Sequence, residues 1–216
     1  MQNADGNTSK LLRSSVKPKV HIGVLALQGA FAAHAEALRE CGAEVRLIRT
    51  LEDLDGIQGL VIPGGESTTM SNLLVASGLS EVLAERFQHG FPVFGTCAGM
   101  IMLAENILDG RADQISLSAL DIDVRRNGYG RQNDSFEQDI IVDSFDTPFH
   151  ALFIRAPVID SIGPDVEILA SWGDRPVLVR SANTLACSFH PELVSDLRIH
   201  MIFLSIVESF SVTNPR

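Results

Sequence analysis

Basic residues, cysteines and unbroken apolar stretches are all scarce in this 216-residue chain, and each shortage narrows what it does. Seventeen Lys and Arg stand against 27 Asp and Glu, for a formal charge of −10. With no basic block, the chain is unsuited to a nucleic-acid groove or an anionic membrane surface. Three widely spaced cysteines, Cys41, Cys97 and Cys187, with no C-x-x-C pair, suggest neither a disulfide framework nor a zinc cluster, and a reducing, cytoplasmic setting is expected. The most apolar stretch, from Phe91 to Leu108, is broken by Gly95, Thr96, Gly99, Glu105 and Asn106, unlike a membrane-spanning helix. His21, His89, His150 and His200 show no metal-ligand spacing and read as solvated or core-packed residues. No repeat and no low-complexity tract interrupts the chain.

What remains is 45% hydrophobic and 20% charged, enough for one substantial core. Residues 1–18 are polar and aperiodic and are expected to be a disordered leader, with a single domain over residues 19–212. Val20 to Leu27 is an apolar run of strand length, followed after Gln28-Gly29 by a helix carrying Phe31, Ala35 and Leu38 and ending at Cys41-Gly42. Ala43 to Arg49 and Gly59 to Ile62 are further strands. After Pro63-Gly64-Gly65, a Ser/Thr cap introduces a helix over Met70 to Ala76.

Phe91 to Phe94 is another strand and Met100 to Asn106 a helix. Strand alternating with helix predicts an α/β fold with a mixed, mostly parallel sheet flanked by helices. Ile115–Val124, Gln138–Val142, Ala151–Ile154, Glu167–Trp172, Pro176–Val179 and Leu185–Phe189 are short strand candidates, read as an antiparallel extension of that sheet. Val194 to Phe210 closes the chain as a helix.

In Phe94-Gly95-Thr96-Cys97-Ala98-Gly99-Met100 one cysteine sits between two glycines at a strand-to-helix junction. Gly-x-Cys-x-Gly is the thiol counterpart of the Gly-x-Ser-x-Gly nucleophile elbow, whose tight turn leaves no room for side chains two residues either side. A buried, inert cysteine fits the same heptapeptide. Ser188-Phe189-His190-Pro191-Glu192 ends the last apolar strand, and a period of two places His190 and Glu192 on one side if strand geometry persists through Pro191. Cys97 as nucleophile, His190 as base and Glu192 as orienting carboxylate would make a thiol triad; alternatively His190 ends a strand and Glu192 faces water. Pro63-Gly64-Gly65-Glu66-Ser67-Thr68-Thr69 lacks the lysine of a P-loop, so its amides are candidate oxyanion donors beside the N–H of Ala98 rather than a phosphate cradle. Loops at Gln28, Pro63–Thr69 and Thr96–Gly99 are expected to share the rim of the sheet where ligands collect.

Together, the Gly95–Gly99 elbow, the Pro63–Thr69 loop and Ser188–Glu192 resemble the class I (triad) glutamine amidotransferases. Leu27-Gln28-Gly29-Ala30 with His34, Arg126-Asn127, Gly130-Arg131-Gln132 with Asp134-Ser135-Phe136-Glu137, and Phe153-Ile154-Arg155-Ala156-Pro157 are similar, more narrowly, to the glutaminase subunits of pyridoxal 5′-phosphate synthases. The resemblance covers about residues 20–210. It implies a Cys97–His190–Glu192 triad, glutamine contacts at Gly65, Glu66, Ser67, Arg126, Ile154 and Arg155, and oxyanion stabilisation by Gly65 and Ala98 with Gln28 as the organising loop residue. Tyr129 stands where phenylalanine is common in the family, and Arg125 where many members carry an acid; Asn127 sets the register in favour of Arg126. Such enzymes convert L-glutamine to L-glutamate and ammonia without a cofactor or metal, and pass the ammonia to a (β/α)-barrel synthase subunit. Other readings are the glutaminase subunit of a different amidotransferase, a cysteine hydrolase on the same scaffold, or a non-catalytic scaffold for a synthase. Cys41, Cys187 and Trp172 read as packing residues, Arg131 as structural or interfacial, and His34 as partner contact or loop support.

Overall fold

The apolar runs of the N-terminal half become the middle of a seven-stranded sheet. The computed structural model describes residues 19–126 and 135–213; the leader expected over residues 1–18, and the block from Asn127 to Asp134, lie outside them. Strand β1 (His21–Leu25) leads into helix α1 (Phe31–Glu40), then β2 (Glu44–Ile48) and β3 (Gly59–Ile62). Helices α2 (Ser67–Ala76) and α3 (Leu79–Gln88) follow, then β4 (Val93–Thr96) and the short α4 (Ala98–Leu103). Next come β5 (Ala104–Ile107), β6 (Leu120–Arg125), β7 (Ser135–Ile140), β8 (Phe149–Ile154) and β9 (Val158–Ile162). The chain finishes with β10 (Glu167–Trp172), β11 (Arg175–Ser181), β12 (Thr184–Cys187) and α5 (Arg198–Thr213).

The main sheet runs β10-β11-β12-β4-β3-β1-β2. From β12 to β2 every pairing is parallel, while β11 and β10 add on antiparallel. β1, β3, β4 and β12 are buried almost throughout, because helices cover both faces. On one face Met70 and Leu74 of α2, Leu79, Leu83 and Phe87 of α3, and Met100 to Leu103 of α4 form one apolar cluster. On the other, Ala35 and Leu38 of α1 meet Ile199, Phe203, Ile206 and Val207 of α5 around Phe94. The mixed, mostly parallel α/β architecture expected from the sequence is therefore present.

Several local expectations change. The extension is only partly in the main sheet: β5-β6-β9 and the β7-β8 hairpin form two separate small sheets. The helix expected to reach Asn106 stops at Leu103, and Ala104 turns extended (φ −60°, ψ 150°) to pair with Leu120 of β6, so tertiary pairing overrides helical propensity. Helix α2 is capped by the carboxylate of Glu66, which accepts from the Thr68 and Thr69 N–H groups, not by a Ser or Thr. The C-terminal helix starts at Arg198, four residues later than expected. α3 and β9 carry no earlier assignment; Leu79, Leu83 and Phe87, spaced i, i+4, i+8, are all buried as an amphipathic helix requires.

Because β1, β3, β4 and β12 run parallel, the loops bearing Gln28, Gly64-Gly65, Cys97 and His190 leave one rim, as the sequence implied. Two glycines permit close packing of α4 there. A Cβ on Gly99 would collide with the Ile62 carbonyl oxygen of β3, and one on Gly95 would lie 2.7 Å from the Gly99 carbonyl carbon and oxygen. Gly99→Ala is expected to lift α4 off β3 and lower unfolding free energy by about 2 kcal/mol, the usual order for overpacking a close backbone contact. Urea denaturation of the variant beside the parent chain measures it, and an unchanged midpoint would show that α4 does not press on β3.

Candidate active site

The junction of β4 and α4 is strained at one residue. Cys97 has φ 50° and ψ −105°, a backbone state that non-glycine residues rarely adopt and that costs on the order of 1–3 kcal/mol. The neighbours hold it there: the Cys97 N–H donates to the Cys187 carbonyl of β12 at 2.9 Å, and the Cys97 carbonyl accepts from Ile101 in α4 at 3.2 Å. The thiol consequently sits at the head of α4 on the sheet rim, buried at 6% exposure, with Sγ 3.8 Å from the Ile154 carbonyl oxygen.

His190 and Glu192 arrive by a route different from the expected one. β12 ends at Cys187 and Pro191–Leu193 forms a tight 3₁₀ turn, so the turn rather than strand alternation brings the two side chains together. The His190 N–H donates to Leu152 of β8 at 2.9 Å, and its Nδ1 lies 2.8 Å from Glu192 Oε1, leaving Nε2 as the ring nitrogen available to Cys97. A Cβ on Gly64 would collide with the His190 ring, so glycine there lets the imidazole reach the thiol. Burial opposes the charged form of His190, but the hydrogen bonds and charges of Cys97 and Glu192 prevail and push it up to about 10. Burial likewise opposes ionisation of Glu192, yet His34 and His190 hold its carboxyl below the ordinary range.

A cavity of about 260 Å³ opens beside the thiol, lined by Gln28, Gly65, Glu66, Ser67, Cys97, Ala98, Ile101, Arg126, Ile154, Arg155 and His190. Every residue singled out from the sequence for substrate or oxyanion contact is on this wall, and Glu192 stands behind His190. Ile101 joins them unforeseen. The Gln28 side chain lies across Gly65 and accepts from the Glu66 N–H at 2.9 Å. Partial burial works against the Glu66 carboxylate, but donation from the Thr69 side chain and the Thr69 and Thr68 N–H groups outweighs it and holds the group at about 2. Arg126 reaches Glu66 Oε1 at 3.3 Å and Gln114 Oε1 at 3.1 Å, while its buried Nε has no partner among the described residues. Arg155 follows β8 with φ 43°, a second strained residue on the cavity wall. A larger groove of about 610 Å³, lined by Leu54, Glu85, Arg86 and His89 among others, holds none of the elbow or His-Pro-Glu residues.

Two histidines take places that the sequence left open or missed. His34, on α1, is fully buried, with Nε2 3.0 Å from Thr96 Oγ1 and 3.3 Å from Glu192 Oε2. His200, on α5, lies 3.0 Å from His34 Nδ1 through its Nε2. The sequence signal at His34 was its position one turn after the Gln28 loop; for His200 none pointed beyond packing. Cys187 is buried in β12, as read, and its thiol is raised well above the ordinary value by burial and by Glu192.

The profile of the SNO glutamine amidotransferase family matches residues 24–209. The chain is similar to the pyridoxal 5′-phosphate synthase subunit PdxT of Mycobacteroides abscessus, 52% identical over 188 residues that make up 87% of this chain and 97% of that protein. The subunit of the same name from Thermosipho africanus is 50% identical over 187 residues, covering 87% and 98%. Among solved structures, a glutamine amidotransferase superposes with TM-score 0.82 at 47% identity, covering 87% of this chain and 98% of the other. PurLQS from Thermotoga maritima, at TM-score 0.61 and 17% identity over 89% of this chain and 99% of that one, shares the fold.

The buried histidines set a pH dependence of stability. Burial lowers both His34 and His200, the latter to about 3, so the folded chain refuses protons that the unfolded chain takes up near 6.5. Their neutral burial therefore costs nothing extra above 6.5 and destabilises the fold as pH falls below it, by up to about 1.4 kcal/mol per pH unit for each. His190, raised, acts oppositely: its stabilisation is complete below 6.5 and is lost as pH rises toward 10. Unfolding free energy, measured in urea across this range, is expected to fall on the acid side, and less steeply in His200→Leu; equal acid slopes in the two proteins would contradict a neutral His200.

Proposed function

The chain belongs to the SNO glutamine amidotransferase family, and on that footing we propose that it is a glutaminase that releases ammonia from L-glutamine at Cys97 and delivers it to the synthase subunit that makes pyridoxal 5′-phosphate. The observation that carries the reading is the convergence of Cys97, His190, Glu192, the Gly65 loop and Arg126 around one cavity.

Cys97, its thiol proton taken by His190, attacks the side-chain carbonyl carbon of glutamine. The oxyanion that forms is held by the N–H groups of Ala98 and Gly65, with Gln28 organising the Gly65 loop. His190, oriented by Glu192, gives its proton to the leaving nitrogen, so ammonia departs and a glutamyl thioester remains. Water then attacks the thioester with His190 accepting its proton; the carbon–sulfur bond breaks and glutamate leaves. Glutamine is a zwitterion, and the cavity offers both signs for it: the Arg126 guanidinium, with its unpartnered Nε, for the α-carboxylate, and the ionised Glu66 nearby for the α-ammonium. Ser67, Ile154 and Arg155 complete the substrate wall. The chemistry calls for no metal or cofactor.

The proposed partner is the synthase subunit, a reading supported by the naming of relatives at about half identity as one subunit of pyridoxal 5′-phosphate synthase; its (β/α)-barrel fold is what the family resemblance implies. A cytoplasmic location suits the thiol chemistry, and no helix among the described residues is long and apolar enough to cross a membrane.

Glutamate release is expected to be low from the isolated protein, to rise with the cognate synthase subunit, and to fall roughly 10⁴-fold or more in Cys97→Ala measured with that partner. Retained activity in the variant would remove Cys97 from the mechanism, whereas a wild type inactive with its synthase would favour the scaffold reading.

A further inference from the structure

Behind Glu192 lies a pair of buried imidazoles that the mechanism above leaves unused. Glu192 is wedged between two rings: Oε1 is 2.8 Å from His190 Nδ1, and Oε2 is 3.3 Å from His34 Nε2, with the Glu192 and His34 side chains wholly out of solvent. His34 in turn meets His200, which is not among the residues that line the cavity.

The protons on these rings follow from their neighbours. A lone pair on His34 Nε2 would face a carboxylate oxygen and be repelled, whereas an N–H there is attracted to it and has Thr96 Oγ1 as its aligned acceptor at 3.0 Å. With that proton on Nε2, neutral His34 presents a lone pair at Nδ1, and His200 Nε2 donates to it. His200 Nδ1, buried without a hydrogen-bond partner among the described residues, is then a bare lone pair. The opposite tautomers would strand a buried N–H on His200, at about 1–3 kcal/mol, and also turn a lone pair toward Glu192. Burial keeps both rings neutral, so His34 solvates the carboxylate with a dipole and adds no cation to compete with His190.

We propose that His34 is a positioning residue for glutamine hydrolysis: its neutral Nε2–H, donated to Thr96 and set in tautomer by His200, turns the positive end of a dipole toward Oε2 of Glu192 at 3.3 Å and thereby keeps Oε1 on His190. The proposal rests on the triad reading of Cys97, His190 and Glu192. The titratable groups facing Glu192 are His190, His34, His200 and the Cys187 thiol; those facing His34 are Glu192, His190 and His200. The remaining wall is the edge-on ring of Phe94, 6.2 Å from His34 and 6.1 Å from His200.

The test compares His34→Leu, His34→Gln and His200→Leu by two readouts. One is steady-state glutamate release with the synthase subunit present. The other is the pH dependence of Cys97 alkylation by iodoacetamide without substrate, with the reaction of Cys41 and Cys187 subtracted using Cys97→Ala. His34→Leu is expected to lower kcat about 10- to 100-fold, the usual effect of removing a supporting partner, with KM little changed. It also moves the alkylation midpoint to higher pH, because a loosened Glu192 stabilises the His190 imidazolium less. His34→Gln keeps an uncharged N–H and recovers most of both, and His200→Leu shifts the midpoint the same way by less. A folded His34→Leu with wild-type midpoint and kcat overturns the proposal, as does a His34→Gln as impaired as His34→Leu. If His34→Leu does not fold, an unshifted midpoint in His200→Leu overturns it and a raised one supports it. Alkylation needs no glutamine, so a wild type inactive on glutamine whose His34→Leu midpoint still moves would sink the glutaminase reading and leave the network standing.

Discussion

A carboxylate removed from water must be solvated by the protein, and much of this fold is arranged around how that is done for Glu192. An uncompensated buried charge costs several kcal/mol, so the partners of Glu192 are structural requirements before they are catalytic ones. One is supplied by the same turn, through His190; the other comes from α1, through His34, which is fixed from behind by α5. Elements at the beginning and the end of the chain are thus tied to one side chain on the rim of the sheet. The interaction is also selective: one imidazole hydrogen-bonded to Oε1 and a second whose N–H lies 3.3 Å from Oε2 hold the carboxylate in a single orientation, whereas a solvent-exposed acid would rotate freely.

Strain is the second ingredient. Cys97 occupies a backbone region that costs energy, and it remains there because β12 takes its N–H, α4 takes its carbonyl, and the glycines at 95 and 99 let helix and strands close around it. Gly64 does for His190 what Gly99 does for α4, removing the atom that would collide with the ring. Rigid parallel strands anchor all of these turns, so the geometry of the reacting groups derives from the sheet rather than from mobile loops. The β7-β8 hairpin belongs to the same support: Phe136 stacks on Phe153 at 4.6 Å between ring centres and also meets Trp172, steadying the strand that ends in Ile154 and Arg155.

What the sequence disclosed follows from how local each signal is. The elbow, the glycine loop and His-Pro-Glu lie at the ends of apolar strands, where residue type and position jointly speak, and the parallel order of those strands puts them on one rim. The reason given for His190 and Glu192 failed even though the pairing held, since Pro191 starts a turn that periodicity of two does not describe. The strand at Ala104–Ile107 escaped because its apolar residues continue a helical pattern and only pairing with β6 decides otherwise. His34 and His200 are separated by 166 residues, and a lone histidine on an apolar helix face carries no mark of which carboxylate it will meet.

The choice of a neutral imidazole behind Glu192 has a physical logic that a lysine or arginine would defeat. A permanent cation at Oε2 would form its own ion pair with the carboxylate and draw its field away from His190, which in the proposed mechanism needs that field to hold a proton between the two halves of the reaction. A neutral N–H dipole beside the oxygen attracts it while leaving the net negative charge in place. Neutrality is secured first by burial of both rings, with the charge of His190 adding to it at His34. The acidity of His190 and the orientation of Glu192 are therefore set from opposite sides of one carboxylate, by a charged imidazole facing the thiol and a neutral one facing the core.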